Sequence, residues 1–319
     1  MRKSGTIKIL AACGMAICIF GGLTGCGKSD VSSQELMRAV TEENRAAKST
    51  AEAGNRIWTK NISAWDTEEQ AQAEFTGTII MAGSTSMEKF ANALAESFMT
   101  KYPGVTVTVE FTGSSAGIES VLAGRTDIGN SSRNLKDDEK DLGAAENIVA
   151  IDGIAVITNI SNITTTLTIE QLARIYKGEI RNWSEVGGND KAIVVVGREA
   201  GSGTRDAFEE LLEIEDVCDY ANELDSEGAV KARVAITPGA IGYVSPDVLD
   251  HTILTISLDG IEPTEENIKV GSYPLGRPFI MVTNGEISAQ SREVQEMFEY
   301  LKSEEGQELI RAVGLVVPY

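Results

Sequence analysis

From Thr76 onward, short apolar runs alternate with segments whose apolar residues recur at helical spacing. Thr78–Met81 predicts a strand. Met87, Phe90, Leu94 and Phe98 then fall every three or four residues until Tyr102 and Pro103 stop the helix. Val105–Phe111 alternates with period two, as a strand does. Ala116–Ala123 predicts a helix ended by Gly124, Asp127–Gly129 a short strand, and Lys136–Leu142 a charged helix. Ile148–Ile157 reads as one long buried strand. Helices are expected at Ile169–Tyr176 and around Phe208, Leu211 and Leu212, and strands at Ala192–Val196, Ile241–Val244, Ile253–Ile256 and Phe279–Val282. Val294, Met297, Phe298 and Leu301 open a long C-terminal helix. Strands alternating with helices imply an α/β fold with mostly parallel sheets.

The first 75 residues break this pattern. Arg2, Lys3 and Lys8 precede an apolar run, Ile9–Phe20, that is short for a membrane span. Leu23-Thr24-Gly25-Cys26 follows and resembles a bacterial lipobox, whose Cys is diacylated and becomes the new N-terminus. The expectation is a lipoprotein signal peptide over residues 1–25, lipidation at Cys26, and a lipid-anchored tether over 26–75. The tether is polar, and Ser32-x-x-Glu35 could cap a marginal helix within it. The protein is thus expected on the outer face of the cell membrane. Cys218 has no second Cys in the body to pair with and reads as a small buried hydrophobe.

Composition changes the picture by exclusion. The chain has 319 residues, with 28 Lys and Arg against 48 Asp and Glu, a formal charge of −20. Such a surface argues against nucleic acid, which is bound by clustered cations. His251 is the sole His, so a His-rich metal centre is excluded, and nothing in the sequence calls for a cofactor. Gly197–Thr204 lacks the Lys of a phosphate-binding NTPase loop.

Four strand-to-helix turns share one composition: Gly83–Ser86, Gly113–Gly117, Gly129–Arg133 and Arg198–Thr204. Helix N-termini offer unpaired backbone N–H groups and a partial positive charge. Gly allows close approach, and Ser and Thr add donors. Ser and Thr could be N-caps and nothing more in any one turn, but four such turns together point to an oxyanion site. Gly113–Gly117 also matches G-x-S-x-G. A secreted serine esterase using Ser115 and His251 is therefore an alternative, one that leaves the other turns unexplained.

The segments Ala82–Phe90, Thr112–Glu119, Thr126–Arg133, Gly197–Phe208, Gly239–Val244 and Tyr273–Phe279 resemble, in order, the phosphate-binding lipoproteins of bacterial phosphate ABC importers. The resemblance implies a non-enzymatic receptor with a two-lobed periplasmic-binding-protein fold of type II. Each lobe would be a mixed, mostly parallel sheet flanked by helices. Lobe 1 would span 76–152 plus 277–319 and lobe 2 would span 153–276, with two crossovers as hinge. Its partners would be inorganic phosphate, the permease and ATPase of the importer, and the membrane through the anchor. Carried over turn by turn, the ligand residues would be Thr85, Ser86, Ser114, Ser132, Arg198, Ser202, Gly203 and Thr204. Many relatives place an Asp where this chain has Ser132, so the phosphate's proton is accepted elsewhere or, more weakly, by the lone pairs of the Ser132 hydroxyl. The candidate is Asp152, at the end of its strand beside Gly153. A receptor for sulfate, molybdate or tungstate is the alternative within the same class.

Overall fold

The structure, a computed structural model, describes residues 75–318. The expected signal peptide, Cys26 and all but the last residue of the expected tether lie outside the described residues.

The chain first lays down β1 (Thr76–Gly83), α1 (Glu88–Lys101), β2 (Gly104–Phe111), α2 (Ser114–Leu122), β3 (Ile128–Ser131), α3 (Asp137–Asp141), β4 (Ala144–Ala145) and β5 (Ile148–Gly153). It then builds a second body from β6 (Ala155–Asn159), β7 (Thr166–Leu167), α4 (Ile169–Tyr176), β8 (Val194–Arg198), α5 (Gly203–Leu211), β9 (Asn222–Leu224), α6 (Glu227–Ile236), β10 (Ala240–Val244), β11 (Ile253–Leu258) and α7 (Glu265–Lys269). It returns through β12 (Gly276–Asn284) and ends in α8 (Arg292–Lys302) and α9 (Glu304–Ala312). One sheet has the order β2-β1-β3-β12-β4, with β5 also paired to β12. The other has the order β7-β11-β6-β10-β8-β9. The result is two α/β lobes.

The central strands are buried on both faces. Along β12, Phe279 and Met281 join the core shared with Phe90, Leu94 and Met297, while Ile280 and Val282 face Ile118 and Leu135 on the other side. In the second lobe, Ile241 and Tyr243 of β10 meet Tyr176 and Phe208, and Ala240 and Val244 meet Val230 and Val234. Period-two side-chain alternation between two helical layers produces this division, and it is why these strands read as continuous apolar runs.

Among the described residues parallel and antiparallel strand pairings are evenly matched, five of each, where mostly parallel sheets were expected. The crossovers explain much of the excess. β5 leads out of the first sheet and β12 leads back beside it, so the two must run antiparallel, with Asp152 opposite Arg277 and Gly153 opposite Gly276. The run Ile148–Ile157 is accordingly two strands in two sheets, parted at Ile154, whose N–H donates to Leu275 O at 2.8 Å. The long C-terminal helix is also divided. Ser303 ends α8 and caps α9, accepting from Gly306 N–H, and Gly306 lies so close to the Tyr300 carbonyl that a Cβ has no room there.

Candidate anion-binding site

The four hydroxyl-rich turns meet between the lobes. In the first, a single 3-10 turn (Thr85–Met87) intervenes between β1 and α1, and Ser84 sits before it, 2% exposed. Its Oγ lies 2.8 Å from Ser86 Oγ and donates to Ser132 Oγ at 2.9 Å. In the second, Ser114 opens α2 and is fully buried. Its Oγ accepts the Ser132 backbone N–H at 3.2 Å, which ties the second turn to the third. The fourth follows β8, where Ser202 caps α5 by accepting from Arg205 N–H.

Contacts across the lobes close the ring. Thr204 Oγ1 lies 3.3 Å from Ser86 Oγ, and Ser115 N–H donates to Gly201 O at 3.2 Å. Gly113, at φ +91°, occupies left-handed backbone, and a Cβ there would meet Gly201 O at 3.2 Å. Gly203 is packed against the first lobe so tightly that a Cβ would overlap Ser114 Oγ and come within 2.7 Å of Ser132 Oγ. Thr85, Ser86, Ser114, Ser132, Ser202, Gly203 and Thr204 therefore belong to one set of converging turns. Within it, Thr85 Oγ1 and both amide atoms of Asn130 are buried without a hydrogen-bond partner among the described residues. Buried polar atoms are normally paired, so these await a partner of their own.

Arg198 is 1% exposed, and its described contacts lie in its own lobe. Nε donates to Leu224 O at 3.1 Å and Nη2 to Asp225 O at 3.2 Å and to Glu199 Oε1 at 2.9 Å. The last carbonyl of β9 and the carbonyl that follows it hold it there. Arg133 forks onto Glu139 at 2.7 and 2.8 Å and reaches across to Asp206 at 2.9 Å, so it pairs within its own lobe and also bridges to the other.

Asp152, 4% exposed, makes no hydrogen bond to the four turns among the described residues. Its Oδ2 accepts from Arg277 Nε at 3.0 Å, Arg277 Nη2 at 2.8 Å and Ser245 Oγ at 2.7 Å. Burial pushes its carboxyl above the ordinary value, against the pull of Arg277 and the Ser245 hydrogen bond. The carboxylate that does reach a turn is Glu227, at the start of α6. Its Oε1 accepts from Thr204 Oγ1 at 2.9 Å and lies 3.4 Å from Arg277 Nη2, while Oε2 accepts Ser245 N–H at 2.9 Å. Glu227 and Ser245 were not singled out from the sequence, and Ser84 and Arg277, although inside the first turn and the segment Tyr273–Phe279, were not named as site residues. Arg277 had a signal, a lone cation inside an apolar strand beside Pro278.

A cleft of about 550 Å³ opens from these turns, lined by Thr85, Ser86 and Lys89 on one side and Glu227, Lys231 and Asp247 on the other. Ser115 and His251 share no hydrogen bond. Ser115 Oγ accepts from Arg133 Nη2 at 3.2 Å, and His251 is exposed in the turn before β11. Cys218 is half-buried, and burial pushes its thiol up to about 11. Among the described residues no helix is long and apolar enough to cross a membrane.

The PBP superfamily domain matches residues 66–305. The phosphate-binding protein PstS of Bacillus subtilis strain 168 is 33% identical over 245 residues, which cover 76% of this chain and 80% of that one. Among solved structures, a phosphate ABC transporter substrate-binding protein of Clostridium perfringens with bound phosphate superposes with a TM-score of 0.73 at 38% identity, over 76% of this chain and all of the other. An ABC-type phosphate transport receptor of Vibrio cholerae gives 0.66 at 36% identity, over 75% of this chain and all of that one.

Proposed function

The chain belongs to the PBP superfamily and, within it, to the phosphate-binding proteins, and from that premise we propose that it is a non-enzymatic extracytoplasmic receptor for inorganic phosphate. It closes its lobes on the anion and delivers it to the permease of an ATP-driven importer. The diacylated Cys26 holds it at the outer face of the membrane, as the lipobox resemblance implies. A diacylglyceryl group anchors stably where one chain alone would not.

The observation that carries this reading is the convergence of four turns from both lobes, with Thr85 Oγ1 and the Asn130 amide buried and unpaired among them. Thr85, Ser86, Ser114 and Ser132 bind from one lobe, and Arg198, Ser202, Gly203 and Thr204 bind from the other. A charge-assisted hydrogen bond contributes roughly 1.5–3 kcal/mol, and micromolar affinity needs only about 8 kcal/mol. A handful of such bonds therefore suffices after desolvation and closure. The net charge of −20 does not prevent this, because surface charge is screened beyond about 8 Å in physiological salt. The strands β5 and β12 are the crossovers about which the lobes close.

Calorimetric titration with phosphate, beside sulfate, molybdate and tungstate, tests the receptor. Phosphate is expected to bind best, and Arg198→Ala to weaken it by at least about tenfold with the fold intact. A preference for one of the other anions would make the protein a receptor for that anion. Undiminished affinity in Arg198→Ala would remove the arginine from the site. Cys26→Ser is expected to abolish acyl labelling.

A further inference from the structure

A hydroxyl has one proton and two lone pairs. Thr204 Oγ1 faces two acceptors, Glu227 Oε1 at 2.9 Å and Ser86 Oγ at 3.3 Å. The carboxylate is nearer, and bonds to a charged acceptor are about twice as strong as neutral ones, so the Thr204 hydroxyl donates its hydrogen bond to Glu227. Glu227 cannot turn away. Its side chain is 3% exposed, its Oε2 is held by Ser245 N–H at 2.9 Å, and Arg277 Nη2 stands 3.4 Å from Oε1.

We propose that Glu227 fixes the direction of the Thr204 hydroxyl and so makes Thr204 Oγ1 the hydrogen-bond acceptor of the anion site. This inference rests on the oxyanion-receptor reading above. With its proton committed to Glu227, Thr204 presents lone pairs to the other turns. An oxyanion that carries a proton, such as hydrogen phosphate, can donate to it. Sulfate carries none at neutral pH and meets lone pair with lone pair. A site of donors alone would accept both, so one reversed hydroxyl is enough to discriminate. Glu227 does this without touching the ligand. It is a positioning residue acting through Thr204.

Glu227→Gln separates this role from a structural one. The Ser245 N–H at 2.9 Å is a nearer donor than Arg277 Nη2 at 3.4 Å, so the carbonyl oxygen of the new side-chain amide is expected to face Ser245, which turns the amide NH2 toward Thr204. Thr204 then accepts from that NH2 and donates into the site. Titration of the full-length protein and the variant with phosphate and with sulfate, separately, is expected to show the phosphate-over-sulfate ratio falling at least about tenfold, chiefly through tighter sulfate binding. Thr204→Ser keeps the hydroxyl and is expected to keep the ratio. Thr204→Ala removes the acceptor and lowers the ratio even should Glu227→Gln fail to fold. A ratio unchanged in Glu227→Gln, or a parallel loss of both anions, would overturn the inference while leaving the receptor reading standing. A parent protein that binds neither anion would overturn both.

Discussion

The turns between the lobes and the crossover cluster beside them are joined by the single bond from Thr204 to Glu227, yet they solve burial in different ways. Most groups that converge in the turns are neutral, the hydroxyls of Ser84, Ser86, Ser114, Ser132 and Thr204, and several polar atoms there have no partner among the described residues, while the two buried cations of the turns, Arg133 and Arg198, are already held by carboxylates and carbonyls. The crossover cluster is built from formal charges, with Arg277 between Asp152 and Glu227 and Ser245 bonded to all three. A neutral hydroxyl left waiting for a ligand costs a few kcal/mol at most, whereas an unpaired buried charge costs several more. In a site that must exist empty the unpaired groups are therefore neutral, and each buried charge, Arg198 included, keeps protein partners of its own.

That contrast breaks most visibly if Arg277 is removed. Arg277→Met keeps the volume and apolar stem but strands two carboxylates that are 4% and 3% exposed. Breaking a buried pair from one side costs about 3–5 kcal/mol. A fall in Tm of roughly 10 °C or more is expected in a chain of this size. Asp152→Asn in the Arg277→Met background should recover part of it, since one stranded charge is then gone. A loss below about 1 kcal/mol in denaturant unfolding would mean the cluster is not the structural half of the comparison.

The same contrast decides what the sequence disclosed. Each hydroxyl turn is a contiguous string between a strand and a helix, so composition and local order expose it. The cluster draws Asp152, Glu227, Ser245 and Arg277 from four distant segments, and only the β5–β12 register and the start of α6 bring them together. Helix α6 itself went unread: Gly228 interrupts it, and the run that follows has only a weak apolar stripe. The break at Ile154 was equally hidden, because an apolar run buried in two successive sheets looks the same as one buried in a single sheet. The fold class was legible, since periodicity survives such local errors. Arg198 was legible as part of a motif, but not its engagement with the Leu224 and Asp225 carbonyls, which belong to the end of β9 and the turn after it.

Gly203→Ala acts on the other half of the comparison. Gly203 is the first residue of α5 and has no positive φ, so alanine suits its backbone, and the second lobe should keep its stability within about 0.5 kcal/mol. The added methyl, however, has no room beside Ser114 Cβ at 2.8 Å and Ser132 Oγ at 2.7 Å, both in the first lobe. Phosphate affinity is expected to fall about a hundredfold with unfolding unchanged, since the penalty appears only when the lobes meet. A large drop in Tm without loss of affinity would reverse the assignment of the two regions.

The smallest effect tests where the two regions overlap. Asp247 lines the cleft beside Thr85 and Ser86 and shares the field of the cluster, where Asp152 and Glu227 outnumber Arg277. Burial first, then repulsion from Glu227 and Asp152, pushes its carboxyl from 3.8 up to about 6, against weaker attraction from Lys89 and Arg277, and its Oδ1 has no hydrogen-bond partner among the described residues. Between about pH 4 and 6 the folded protein thus holds a proton that the unfolded chain has released. Stability from this group falls as pH rises through that window and stays low above it. Asp247→Asn keeps the shape and removes the charge. It should therefore raise Tm by roughly 2–4 °C at pH 8, the shift given by about 1 kcal/mol in a chain this long. The gain should vanish by about pH 4, where the parent carboxyl is protonated in both states. A gain of the same size at both pH values would show that packing rather than charge sets the effect. It would also confine the surplus negative field to the crossover cluster, leaving the cleft that leads to the hydroxyl turns outside it.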